Sequence, residues 1–85
     1  MPRVTLYRKD GCHLCESVEQ TVRTVQRAKP FELEIRNIEA DAADLKKYKD
    51  LIPVVLVDGK EISRYRLAPF TLMDALDASV AKVAK

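Results

Sequence analysis

The sequence predicts an α/β domain: a four-stranded mixed sheet with helices on both faces. Three observations carry this. Strand-like and helix-like runs alternate in the order β-α-β-(α)-β-β-α along the chain. Val54-Val55-Leu56-Val57 is an uninterrupted, largely β-branched apolar run, the pattern of a central strand buried on both faces. Asp58-Gly59 follows it directly and is the strongest short hairpin signal in the chain, so the last two strands pair antiparallel. The first two strands are joined through a helix, which makes them parallel with a right-handed crossover. The 85 residues make one domain, 1–85.

The elements follow in order. Residues 3–8 read as the first strand, and Lys9-Asp10-Gly11 as a turn. From His13 to about Ala28, Leu14, Cys15, Val18, Val22 and Val25 recur at helical spacing, which makes one apolar face. Pro30 ends the helical region. Phe31, Leu33 and Ile35 then alternate with Glu32, Glu34 and Arg36, a half-buried strand with a charged face suited to a sheet edge. Asp41 caps a short helix to about Lys49, with Leu45 and Tyr48 as its apolar contacts. Residues 60–64 form the return strand of the hairpin. From about Pro69, Leu72, Met73, Leu76, Val80 and Val83 form the apolar stripe of a last helix.

An apolar fraction of 47% suffices for a core without a structural metal or several disulfides. The net charge of +2, with both signs interspersed, offers no footprint for nucleic acid or an anionic membrane. Residues 51–57, the longest apolar run, are far too short to span a bilayer. No signal-peptide pattern precedes the first strand. These readings give the expectation of a cytoplasmic monomer that binds neither nucleic acid nor membrane.

Cys12 and Cys15 are the only cysteines, and they sit at the strand-to-helix junction as Cys12-His13-Leu14-Cys15. A disulfide between them would close a very small loop and constrain the unfolded chain little, which argues against a structural staple. Two intervening residues bring the sulfurs together across one helical turn. The helix start offers unpaired N–H groups and a positive dipole end, which favour a thiolate. Cys12, just ahead of the first turn, is expected to be the exposed sulfur, and Cys15, on the face of Val18 and Val22, the shielded one. That asymmetry is what a dithiol/disulfide couple needs.

At these residues the chain resembles the glutaredoxins of the thioredoxin-like fold, and especially small bacterial glutaredoxin-like proteins with a Cys-His-Leu-Cys site. Tyr7-Arg8-Lys9-Asp10-Gly11-Cys12 keeps the glutaredoxin spacing of Tyr, Lys and nucleophilic Cys, and Leu51-Ile52-Pro53 stands where that family has Thr-Val-Pro. The resemblance implies a thiol–disulfide oxidoreductase with Cys12 as nucleophile and Cys15 as resolving thiol. It also implies a cis peptide before Pro53, leaving the Ile52 backbone free to pair with an extended substrate; with Tyr7, these line a substrate groove. Two features depart from the pattern. His13-Leu14 replaces the usual Pro-Tyr, and residues 63–71 lack the Gly-Gly-x-Asp segment that holds glutathione. Arg64 and Arg66 are alternative holders of a glutathione carboxylate, or solvated charges.

The expected modulators are Lys9, which together with the helix dipole lowers the Cys12 pKa below its free value of ~8.5, and His13, which as a cation would stabilise the thiolate. An exposed histidine without a role is an equal reading of His13. By composition alone Pro53 merely opens a strand, and Tyr7 and Tyr65 are core-edge aromatics. No resident cofactor is expected; glutathione enters as a candidate co-substrate. The partners are a disulfide-containing protein or small thiol, with a reductase or glutathione as electron donor. Two other functions compete: a metal- or iron–sulfur-binding module using Cys12 and Cys15, and an interaction module on the same fold without redox activity.

Overall fold

The computed structural model describes residues 1–83, with side chains described for 1–79. In chain order it contains β1 (Arg3–Arg8), α1 (His13–Ala28), β2 (Glu32–Asn37), α2 (Ala42–Tyr48), β3 (Val54–Val57), β4 (Lys60–Arg64) and α3 (Pro69–Val83). A 3-10 turn, Ile38–Ala40, precedes α2 and has no counterpart in the sequence reading. The Asn37 side chain builds it by accepting the Glu39 N–H at 2.9 Å, an Asx-type contact. Val80 and Val83, expected in the stripe of α3, lie outside the residues with described side chains.

The sheet order is β2-β1-β3-β4. β1 and β2 are parallel, with Val4 opposite Leu33 and Leu6 opposite Ile35. β3 is antiparallel to both β1 and β4. The charged strand β2 is therefore an edge and the Val-rich β3 is central, as their patterns require. Between Val55 and Leu56 the β3–β4 register shifts, so that Val55 faces Ser63 and Leu56 faces Glu61. Ile62 between those partners packs against the main core.

Strand alternation sends two different sets of side chains to the two faces. Val4, Leu6, Val55 and Val57 face Val18, Val22 and Val25 of α1 and Leu72 and Leu76 of α3, which gives an aliphatic core closed by Phe31. On the opposite face Val54 joins Ile38, Tyr48, Ile52 and Cys15, with Tyr7 and Leu56 packed against them. The result is the mixed four-stranded α/β architecture with helices on both faces. Local signals place the helix starts. The Asp41 carboxylate accepts the N–H groups of Ala43 and Asp44 at 2.8 and 3.1 Å, capping α2. Glu16 in the first turn of α1 and Arg27 in the last match its dipole.

No described helix is long and apolar enough to cross a membrane.

Candidate functional site

The strand directions gather four chain segments at one end of the sheet. β1 leaves its last residue, Arg8, there, and α1 begins there after the turn at Gly11, whose φ of +75° is the left-handed conformation glycine tolerates. β3 starts at the same end because it runs antiparallel to β1, and β4 finishes there because it runs antiparallel to β3. The turn at Gly11, the 49–53 segment and the β4–α3 connection are thus neighbours, although more than 35 residues separate the first from the second in sequence.

Cys12 occupies the N-cap of α1. Its backbone is extended (φ −101°, ψ 107°), its carbonyl accepts the Glu16 N–H at 3.1 Å, and its sulfur accepts the Cys15 N–H at 3.2 Å. That place is normally filled by Ser, Thr, Asp or Asn. Here a sulfur takes the hydrogen bond from one of the first orphan N–H groups of the helix. Cys12 and Cys15 are paired as a disulfide, with their Cα atoms 5.2 Å apart. Cys15 is fully buried, at 0% exposure, and Cys12 is partly buried. The asymmetry read from the helical wheel is present, but Cys12 is less open than expected because it packs against the Cys15, Ile38, Tyr48, Ile52 and Val54 cluster.

Leu14 departs from its expected place on the inner face and is 48% exposed. It belongs to the first turn of α1, which starts beyond the last sheet residue of β1, so the wheel angle that buries Val18 and Val22 carries Leu14 into solvent.

The Ile52–Pro53 peptide is cis. Pro53 is fully buried and Ile52 is 9% exposed, in the same cluster as both cysteines. The Pro53 carbonyl accepts the Tyr65 N–H at 2.8 Å, and the Leu51 N–H is held by the Tyr48 carbonyl at 2.8 Å. Among the described residues, the N–H and C=O of Ile52 have no hydrogen-bond partner.

Tyr7 is half-buried and packs against the same cluster, its ring stacked on Tyr48 at 4.2 Å between centroids. The Arg36 guanidinium stands 5.7 Å from the Tyr7 ring centre and forms an ion pair with Asp44 at 3.1 Å. Burial, then the neighbouring Tyr48 and Asp44, push the Tyr7 phenol above its ordinary value, against the opposing pull of Arg36. Tyr7 is therefore neutral at physiological pH and adds no charge beside the sulfurs.

The two expected modulators stand apart from this cluster. The His13 side chain is 99% exposed, with Nδ1 3.8 Å from a Glu16 carboxylate oxygen. Lys9 is exposed in the turn. Arg64 is committed to Glu61, Nε to Oε2 at 2.6 Å, while Arg66 is exposed. Among the described residues, no group of three or more His, Cys, Asp or Glu side chains is placed to hold a metal ion.

Sequence reasoning missed Tyr65. Read as a core-edge aromatic, it is 45% exposed and sits at φ +67°. Its phenol donates to the Asp50 carbonyl at 3.2 Å, across the segment that carries Pro53. The available signal was the absence of glycine from residues 63–71, where the chain must turn out of β4.

Comparison with known proteins agrees with this geometry. The model of the glutaredoxin-like domain family (DUF836) matches residues 3–79. A protein of Nitrosomonas europaea solved by NMR is 30% identical, with a TM-score of 0.74 over 87% of this chain and 89% of its own. A protein of X. campestris solved by X-ray is 28% identical, with a TM-score of 0.73 over 88% of this chain and 96% of its own. Thioredoxin 1 of Thermosipho africanus shares the fold at 15% identity, with a TM-score of 0.69 over 98% of this chain and 99% of its own. No protein with a curated description matches. The chain, with its Cys12–Cys15 pair at a helix N-terminus and the fold it shares with thioredoxins, belongs to the glutaredoxin-like domain family.

Proposed function

We propose that the protein is a thiol–disulfide oxidoreductase working through Cys12 and Cys15. One observation carries the reading: a partly accessible sulfur at a helix N-cap, holding a backbone N–H, paired with a fully buried one. A hydrogen bond to sulfur and the positive end of α1 both favour thiolate over thiol at Cys12.

In the reduced protein, the Cys12 thiolate attacks one sulfur of a substrate disulfide. A Cys12–substrate disulfide forms and the substrate's other sulfur leaves as a thiolate. The Cys15 thiolate then attacks the Cys12 sulfur, which closes the Cys12–Cys15 disulfide and releases the second substrate thiolate. Two electrons pass to the substrate, and its two thiolates take up the protons given by the protein's thiols. An external reductant, either a dithiol reductase or two glutathione molecules, returns the protein to the reduced form by the reverse steps and leaves as its own disulfide.

The unpaired N–H and C=O of Ile52 beside the sulfurs suit an extended peptide, which would place its cysteine against Cys12. This favours a protein disulfide as substrate. Glutathione is the weaker candidate as dedicated donor, because the Gly-Gly-x-Asp segment is missing and Arg64 already holds Glu61. Tyr7, packed against the same cluster as Ile52, and the buried Pro53 are the side chains we assign to the substrate groove. The His13 and Lys9 side chains are exposed and lie outside the cluster that holds the sulfurs.

The test is a pair of variants. Cys15→Ser removes the resolving thiol and leaves the first step intact, so it accumulates a Cys12–substrate adduct detectable by mass. Cys12→Ser abolishes exchange. Full activity in Cys12→Ser would overturn the assignment.

A further inference from the structure

Tyr65 is the residue of this end of the sheet whose conformation needs explaining. The Arg66 N–H bonds back to the Arg64 carbonyl at 2.7 Å, and Tyr65 between them has φ +67°. A three-residue turn closed by such a bond around a positive-φ centre is the strained hand of the γ-turn. An aromatic residue with a Cβ is costly there, and such a conformation persists only where its surroundings over-determine it.

The surroundings do so at two points. The Tyr65 N–H donates to the Pro53 carbonyl at 2.8 Å, one step past the last β3–β4 pair, Val54 with Arg64. Its phenol donates to the Asp50 carbonyl at 3.2 Å. The two acceptors bracket Leu51 and Ile52. Among the described residues, the one other backbone hydrogen bond within the stretch from Asp50 to Pro53 is that of the Leu51 N–H to the Tyr48 carbonyl.

We propose that Tyr65 is a positioning residue for the substrate groove. By holding Asp50 and Pro53 from two points, it fixes the orientation of the unpaired Ile52 backbone that an extended substrate would pair with. The left-handed turn is the conformation that lets one residue make both contacts. This rests on the oxidoreductase reading above, and it adds that recognition of a peptide backbone, not the chemistry at sulfur, depends on Tyr65.

The experiment compares wild type, Tyr65→Phe and Tyr65→Gly. Tyr65→Phe removes only the phenol bond. Tyr65→Gly also removes the ring and relaxes the turn. The reduced proteins are reacted with two probes. One is a capped Gly-Ser-Cys-Ser-Gly peptide oxidised to its disulfide-linked dimer. The other is hydroxyethyl disulfide, which has no peptide backbone to pair with Ile52. The ratio of the two second-order rate constants, peptide over hydroxyethyl disulfide, falls about five-fold in Tyr65→Phe, the effect of one neutral hydrogen bond, and further in Tyr65→Gly. Amide hydrogen exchange at Leu51 rises by about the same factor.

An unchanged ratio in both variants, with wild type reacting normally, overturns the positioning role alone, whether or not Leu51 exchange changes. An equal loss toward both probes also overturns it, because a merely structural contact would produce that. If reduced wild type reacts with neither disulfide, the oxidoreductase reading falls and the positioning role with it.

Discussion

The two ends of the sheet are held in opposite ways. At the end away from the cysteines, the chain closes on itself. The Arg3 N–H donates to the Asp58 carboxylate at 2.9 Å, and the Asp58 N–H returns to the Arg3 carbonyl at 2.8 Å. The Ser79 hydroxyl takes the other Asp58 oxygen, and Lys29 bonds Asp77 at 2.7 Å, tying α1 to α3. At the cysteine end, Ile52 has an unpaired backbone among the described residues, and Leu14, Tyr65 and Phe70 expose apolar surface. Leu14 follows from the start of α1, Tyr65 from the exit of β4 and Phe70 from the start of α3, so topology brings all three to the cysteine end. The fold is thus secured from the hairpin end and its aliphatic core, while the cysteine end leaves the Ile52 backbone and three apolar side chains uncovered.

Three substitutions test how differently the two ends are held. The largest stability effect belongs to the aliphatic core. Leu72→Ala empties a fully buried position between α3 and the sheet, and should cost about 2–5 kcal/mol in a denaturant melt. A loss below 1 kcal/mol would mean that this core does not secure the fold.

Next comes Asp58. Its hydrogen bonds from Ser79 and from the Arg3 backbone hold its carboxyl below the ordinary carboxylate value. A carboxyl whose folded pKa is depressed stabilises the protein above its unfolded pKa, near 4, and that contribution is lost as pH falls through the lower folded pKa. Asp58→Asn should therefore lower stability at pH 7 by about 1 kcal/mol, a typical hydrogen-bond contribution. It should also flatten the fall in Tm between pH 4 and pH 2. An unchanged acid limb in the variant would move the pH sensitivity elsewhere.

The smallest effect belongs to the open end. Phe70 is 67% exposed at the first turn of α3, so Phe70→Ser should change stability by no more than about 0.5 kcal/mol. A larger loss would show that the cysteine end also secures the fold.

Much of the architecture was legible in the sequence because each element carried its own punctuation. Asp41 announced α2, Asp58-Gly59 the hairpin and Pro69 the last helix, and each boundary lies where those residues put it. The cysteine pair was legible for the same reason, since a strand, a glycine turn and an amphipathic run surround it. What escaped depends on contacts distant in sequence. Tyr65 adopts a left-handed turn because Asp50 and Pro53, 15 and 12 residues earlier, hold it; no local propensity predicts that. Leu14 fits the helical stripe by angle, and only the length of β1 shows that the sheet ends before it. The pairing of Arg64 with Glu61 is local, but its consequence, an arginine no longer free for a carboxylate ligand, appears only in three dimensions.

An equilibrium redox titration of metal-free protein in glutathione buffers, with free thiols counted and adducts weighed, tests the Cys12–Cys15 couple itself. A reversible two-electron couple confined to Cys12 and Cys15 is expected, between roughly −270 and −180 mV, the range of thioredoxins, glutaredoxins and disulfide isomerases. Failure to form the Cys12–Cys15 disulfide anywhere in the titration would contradict it, and would return the two thiols to the metal or cluster reading.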